Sequence, residues 1–145
     1  MRSGNAPAEV ANSEWAEFIA KLEDAEHEFA QGRPAAFKAL WSHSDNVSIC
    51  GAFGGVESGW DKVASRLDWA SSQFSEGTRS REEISSAVGA EFAYLVHTEH
   101  IRFRVPGRTE ESTLDLRVTM VFRREDDGWR IVHRQADSQK STELP

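Results

Sequence analysis

The residues best equipped for chemistry gather toward the end of the chain. On an extended strand over residues 129–137, side chains alternate between two faces. Trp129, Ile131, His133, Gln135 and Asp137 share one face, and Val132, Arg134 and Ala136 share the other. A three-residue hairpin loop at 126–128, with Gly128 in the left-handed position, pairs Glu125 with Trp129. It then sets Val121 opposite His133, Thr119 opposite Gln135 and Arg117 opposite Asp137. That register collects Arg117, Thr119, His133, Gln135 and Asp137 on one surface, a polar group suited to lining a pocket of a few hundred Å³. An imidazole titrates at about 6.5, so His133 is matched to general acid or base work near neutrality. The alternative is a hydrogen-bonded structural histidine beside an Arg–Asp pair.

A second group lies on the preceding long strand, 92–105, where Leu95, His97, Glu99, Ile101 and Phe103 share a face. A carboxylate among apolar neighbours has its pKa raised and becomes a proton carrier, which makes Glu99 a candidate. His97 and Glu99 also offer two metal ligands, but no third is evident. A solvated outer face explains the same charges. Asp45, beside His43, stands where the first strand begins and either closes the pocket as an acid or base or caps a turn. Phe53, Trp60 and Trp69 supply either core or the aromatic wall of a cavity, and Trp41 reads the same way. Arg79, Arg81, Arg102, Arg104, Arg123, Arg124, Arg130 and Arg134 recur on the strands and are expected to pair with acids across strands or to serve a dimer surface. Cys50 reads as inert and buried.

These side chains need a scaffold, and the hydrophobic pattern supplies one. Asn12 or Ser13 caps a helix whose apolar face runs through Trp15, Phe18, Ile19, Leu22, Ala25 and Phe29, interrupted by Glu26. Gly32 stops it, and Pro34 opens a short second helix through Trp41. Alternation over 46–53 marks a strand closed by Gly54 and Gly55. A third helix runs from Trp60 to Phe74, ended by Gly77. Four strands follow, the third carrying the period-two run Leu114, Leu116, Val118, Met120 and Phe122. The expected domain covers 12–138, with flexible tails at 1–11 and 139–145. The fold class is α+β, an antiparallel sheet curved over three helices.

Composition narrows the partners. A net charge of −7 argues against a nucleic-acid backbone, which would want a basic stripe. No apolar run approaches the roughly 20 residues that cross a bilayer. Residues 1–10 hold no signal-like apolar stretch, and one cysteine excludes an internal disulfide framework, so a cytoplasmic globular protein is expected.

Several strings, in order, resemble the nuclear transport factor 2-like superfamily and its SnoaL-like, polyketide-cyclase-like branch. They are Phe37 to Trp41 with His43 to Val47, Gly51 to Gly55 with Trp60 to Val63, and above all Leu116 to Thr119 with Gly128 to Arg134. The resemblance covers residues 12–138. It implies a cone-shaped fold, a pocket between the concave sheet face and the helices, and a homodimer through the outer face. It also implies a small apolar organic ligand and cofactor-free isomerisation, cyclisation or dehydration beside a carbonyl. His133 would move the proton, Asp137 or Glu99 would orient it, and Arg117 would stabilise negative charge. Shared fold does not carry function, so a non-catalytic ligand-binding or assembly module is the alternative. The chain departs from steroid isomerases of this fold: Cys50 or Gly51 stands where they carry an aspartate, and their Tyr and protonated Asp lack counterparts. The family's usual second histidine of the last strand is Gln135. Asp115, Arg117 and Asp137 offer a superficial likeness to the Asp–Arg–Asp set of epoxide hydrolases of this fold.

Overall fold

The computed structural model describes residues 5–140. Its elements run α1 (Asn5–Ala30), α2 (Ala35–Ala39), β1 (Ser48–Cys50), β2 (Val56–Ser58), α3 (Trp60–Ser71), β3 (Ser75–Val88), β4 (Phe92–Arg104), β5 (Glu111–Glu125) and β6 (Gly128–Ser138). The strands form one curved sheet in the order β2-β1-β6-β5-β4-β3. Every pairing is antiparallel except β1 with β6. This is the expected α+β cone, with one strand more than the pattern showed: β2 is the short return of a hairpin turned by Gly54 and Gly55, both at positive φ. Among the described residues no helix is long and apolar enough to cross a membrane.

The helix α1 starts at Asn5, ahead of the cap expected at Asn12 or Ser13. Pro7 falls in its first turn, where N–H groups have no intrahelical partner, so it does not interrupt the helix. Residues 1–4 and 141–145 of the expected tails lie outside the described residues. The face of α1 that carries Phe18, Leu22, Ala25, Glu26 and Ala30 is buried. Trp15 meets Phe122 and Trp129 edge-on at 5.0 and 5.2 Å between ring centroids, and Phe18 meets Phe122 at 5.5 Å. This aromatic knot packs α1 against β5 and β6.

Two local expectations give way. Gly77 does not end α3, which stops at Ser71. It lies instead near the start of β3, at a register shift between Ser75 and Thr78. A Cβ on Gly77 would stand 2.2 Å from the Ala30 carbonyl oxygen, so the glycine is there because α1 and β3 touch backbone to backbone.

The second correction concerns the last hairpin. Glu125 pairs with Gly128, not Trp129, so the turn is one residue tighter than expected. A bulge between Ile131 and His133 inserts Val132 and restores the pairs Val121–His133, Thr119–Gln135 and Arg117–Asp137. The register is therefore as expected, but the faces are not. Trp129 and Ile131 point into the core and so do Val132 and Ala136. His133, Gln135 and Asp137 share the outer face with Arg117 and Thr119.

Candidate functional site

Between the concave face and the helices lies a cavity of about 70 Å³, smaller than the few hundred expected. Aromatic side chains explain the difference: Phe29, Phe37, Phe53 and Phe74 fill much of the cone and form the walls, with Ile101, Leu114 and Leu116. The mouth lies at the β1–β2 loop and α3. Phe53, 40% exposed, sits edge-on to Trp69 at 5.6 Å. The Arg66 guanidinium lies 4.5 Å from the centre of the Trp69 ring and donates to the Gly54 carbonyl.

The far end is charged. Glu26 from α1, Arg79 from β3, Glu99 from β4 and Arg134 from β6 all reach the cavity. Glu99 is the hub. Its Oε1 accepts from Arg79 Nη2 at 2.7 Å and sits 2.8 Å from His97 Nε2. Its Oε2 accepts from Arg134 Nη2 at 3.0 Å. Glu26 is held more loosely, with Arg79 at 3.3 Å, Arg81 at 3.5 Å and Arg134 at 3.6 Å. Arg81 turns its other nitrogen outward to Glu23 at 2.8 Å.

Those distances decide which carboxylate keeps its proton. Burial pushes Glu99 up, but Arg134, the His97 hydrogen bond and Arg79 outweigh it and hold the group well below the usual carboxylate range. Glu26 receives no comparably short bond. Burial raises it to about 7, with Glu99 adding repulsion and Arg79 only partly opposing the rise. Burial likewise keeps His97 below its ordinary value, so the ring is neutral. Its Nε2–H donates to Glu99, and Nδ1 is left buried without a partner. Two acids side by side thus divide into a fixed anion and a group that exchanges its proton near neutrality.

Glu26, His97 and Glu99 bring one ligand atom each within 4.8 Å of one another, so α1 supplies the third donor that the strand pattern lacked. The set does not suit a cation, because three guanidinium groups already face the same carboxylates. A metal would have to displace them or share their charge.

The other expected site residues disperse. His133 and Asp137 lie on the outer face, away from the cavity: His133 Nδ1 takes a hydrogen bond with Ser48 Oγ at 2.8 Å, and Asp137 accepts from Arg117 at 2.9 and 2.7 Å. Arg117, Thr119 and Gln135 share that outer face. Asp115 there accepts from His100 at 2.6 Å, so the epoxide-hydrolase likeness is a row of exposed pairs. Asp45 is exposed in the turn before β1. Trp60 stacks on His43 with ring centres 4.0 Å apart, outside the cavity, and Trp69 flanks the mouth. Phe53 and Glu99 do line the cavity. Cys50 is half-buried, not buried. Arg79 and Arg134 pair with Glu99 of another strand, as Arg102 does with Glu111, but the first two do so inside the cone; Arg81 reaches Glu23 and Glu26 of α1, and Arg123 and Arg130 pair locally with Glu125 and Asp127.

The signals for the cluster were present. Glu26 breaks an otherwise apolar helix face. His97 and Glu99 alternate in phase with Leu95, Ile101 and Phe103. In the register of the last hairpin, Thr119 lies out of phase with Val118 and Met120, so its partner Gln135 must face away from the apolar stripe.

Comparison with known proteins agrees with this architecture. Residues 19–137 match the family model of the SnoaL-like domain. No curated protein matches the chain. Among solved structures, a candidate dehydratase of the nuclear transport factor 2-like family from Streptomyces avermitilis is 19% identical, with a TM-score of 0.74 over 90% of this chain and 99% of that one. A ketosteroid isomerase-like protein from Erwinia carotovora atroseptica is 14% identical, with a TM-score of 0.72 over 90% and 99%. A nuclear transport factor 2-like superfamily protein from Salmonella enterica serovar Typhimurium is 20% identical, with a TM-score of 0.70 over 87% and 95%. At these identities the likeness is one of fold.

Proposed function

The chain belongs to the SnoaL-like domain family, and from that premise we propose that its cavity binds a small, largely apolar carbonyl compound and moves a proton on it without a cofactor. The observation that carries this reading is Glu26: a buried carboxylate on the cavity wall that titrates at about 7, beside guanidinium groups. An acid or base works best when its pKa lies near the operating pH. The ionised Glu26 takes a proton from the carbon next to the carbonyl, and the electron pair moves toward the carbonyl oxygen. Arg79 and Arg134 face the negative charge that develops there. Returning the proton to a different carbon completes an isomerisation, and giving it to a departing hydroxyl completes a dehydration. Glu99 and His97 hold the two arginines in place. The proton-moving role thus passes from His133 to Glu26, and the charge-stabilising role from Arg117 to Arg79 and Arg134.

The test is solvent-deuterium exchange into small ketones such as acetone and butanone, followed by proton NMR. Wild-type protein should accelerate exchange, with a rate that rises as pH passes upward through about 7, because the ionised form of Glu26 is the base. Glu26→Gln should lose roughly 10²- to 10⁴-fold. Exchange no faster than in buffer for every ketone, or a Glu26→Gln variant as active as wild type, would remove this reading.

A further inference from the structure

We infer that the cavity takes up a small monocarboxylate together with one proton, the anion settling on Arg79 and the proton on Glu26, so that the site captures the elements of a neutral carboxylic acid. The inference rests on the reading of the cavity as a ligand site and adds a second class of ligand, which binds with Glu26 protonated where the carbonyl compound meets it ionised.

The first ground is an unused donor. The Arg79 side chain is 8% exposed and lines the cavity. Only its Nη2 is engaged, with Glu99 at 2.7 Å and Glu26 at 3.3 Å. Its Nη1 and Nε have no acceptor among the described residues. They are also not among the buried polar atoms sealed away from all contact. Because Arg79 lines the cavity, these two nitrogens are the donors left for an acceptor that enters it. A charged, nine-tenths buried donor facing an apolar chamber is a built place for an oxygen anion.

The second ground is charge balance. Arg79, Arg81 and Arg134 face Glu26, Glu99 and, at the rim, Glu23, three charges of each sign. With all three acids ionised the cluster is neutral, and a further anion would leave it one negative charge in excess. Protonating Glu26 removes that excess. The groups facing Glu26 are Glu23 on its own helix, Arg79 and Arg81 from β3, Glu99 and its partner His97 from β4, and Arg134 from β6. Of these, Glu99 is fixed as an anion by its short bonds and His97 is neutral. Glu26 is left as the group able to accept the proton, and its pKa of about 7 makes that uptake cheap in the neutral range.

The third ground is size. Water-sized occupants need about 10–15 Å³ each, so a chamber of about 70 Å³ holds on the order of five non-hydrogen atoms. Propionate has that size. Its ethyl group would meet Ile101, Leu116 and the phenylalanine walls.

The experiment is titration calorimetry of the full chain with propionate at pH 6, 7 and 8, in buffers of differing ionisation enthalpy, with propionamide as the neutral isostere. Proton uptake should climb from near zero at pH 6 toward one per propionate at pH 8. The dissociation constant should rise about twofold from pH 6 to 7 and about five- to sixfold from pH 7 to 8. Propionamide should bind at least about tenfold more weakly, as expected when a charged contact is lost. Glu26→Gln should keep propionate binding but lose both the proton uptake and the pH dependence. Arg79→Met, checked for folding by circular dichroism, should lose binding. Equal affinity for propionate and propionamide, or no proton uptake at pH 8, would overturn the inference. If propionate fails to bind while ketone exchange proceeds, the carboxylate class is wrong and the proton-transfer reading stands. If neither occurs, both fall.

Discussion

Replacing Glu99 by Gln is expected to cost about 3–5 kcal/mol of folding stability, the usual penalty for removing one partner of a buried ion pair. Glu99 is 2% exposed and binds Arg79, Arg134 and His97 at once. The substitution keeps the shape but leaves two buried guanidiniums with only the loosely held Glu26 as counter-charge, and it places an amide N–H₂ against other donors. Urea denaturation of wild type and variant at pH 8 measures the loss, and a difference under about 1 kcal/mol would show that the cluster is not a structural hub. A pH series adds a readout that general destabilisation would not move. The folded pKa of Glu99 is depressed, so its stabilisation is present above about 4.5 and is lost as pH falls through the folded value. Wild type should lose stability along that acid limb, and the variant should lack this contribution. Replacing Arg134 by Met in the Glu99→Gln background should recover part of the loss, because one uncompensated charge then goes.

The second large effect belongs to a residue with no side chain. Gly77→Ala should destabilise the protein by about 3 kcal/mol, at the upper end of the range for overpacked sites. The new methyl group would lie 2.2 Å from the Ala30 carbonyl oxygen and 3.0 Å from the Ala30 carbon and Cβ. Both walls of that contact are backbone, one the last turn of α1 and the other β3, so no side-chain rotation relieves it. Gly51→Ala is the control: its Cβ would meet the Arg66 side chain at 3.4 Å, an ordinary contact, and the change should be close to neutral. Thermal melts of the two variants settle the comparison, and equal melting temperatures would contradict the close approach. The consequence reaches the cavity. Gly77 is two residues from Arg79, and pushing β3 off α1 draws that guanidinium away from Glu99 and Glu26. Gly77→Ala should therefore also weaken the proton-coupled uptake of propionate at temperatures where the variant is still folded.

Much of the scaffold was legible because it rests on short-range periodicity. The apolar stripe of α1, the long strand that became β4, the run from Leu114 to Phe122 and the Pro34 entry into α2 each follow from spacing alone. Boundaries were less legible. Gly77 reads as a helix stop when only its neighbours are considered, since a glycine after an apolar run is the usual terminator. Its actual reason is Ala30, forty-seven positions earlier in the chain. The start of α1 at Asn5 was hidden behind Asn12 and Ser13, which are good caps but are not needed as caps here.

By itself, the sequence determined the fold class, the strand pairing of the last hairpin beyond its turn, and the presence of out-of-place charges at Glu26, His97 and Glu99. Each of these depends on a local period or on pairwise register, which the order of residues specifies directly. Only the tertiary structure decided which charges meet. The Val132 bulge turns Arg134 inward and His133, Gln135 and Asp137 outward, because one extra residue in a strand exchanges its two faces. The curvature of the sheet then carries Arg79 and Arg134, from two other strands, to within hydrogen-bonding distance of Glu99, with Glu26 of α1 beside them. Burial at that meeting point raises both carboxylates, and the shorter bonds that Glu99 receives from Arg79, Arg134 and His97 split them into a fixed anion and a proton carrier. That outcome depends on distances between residues far apart in the chain, and no local pattern encodes them.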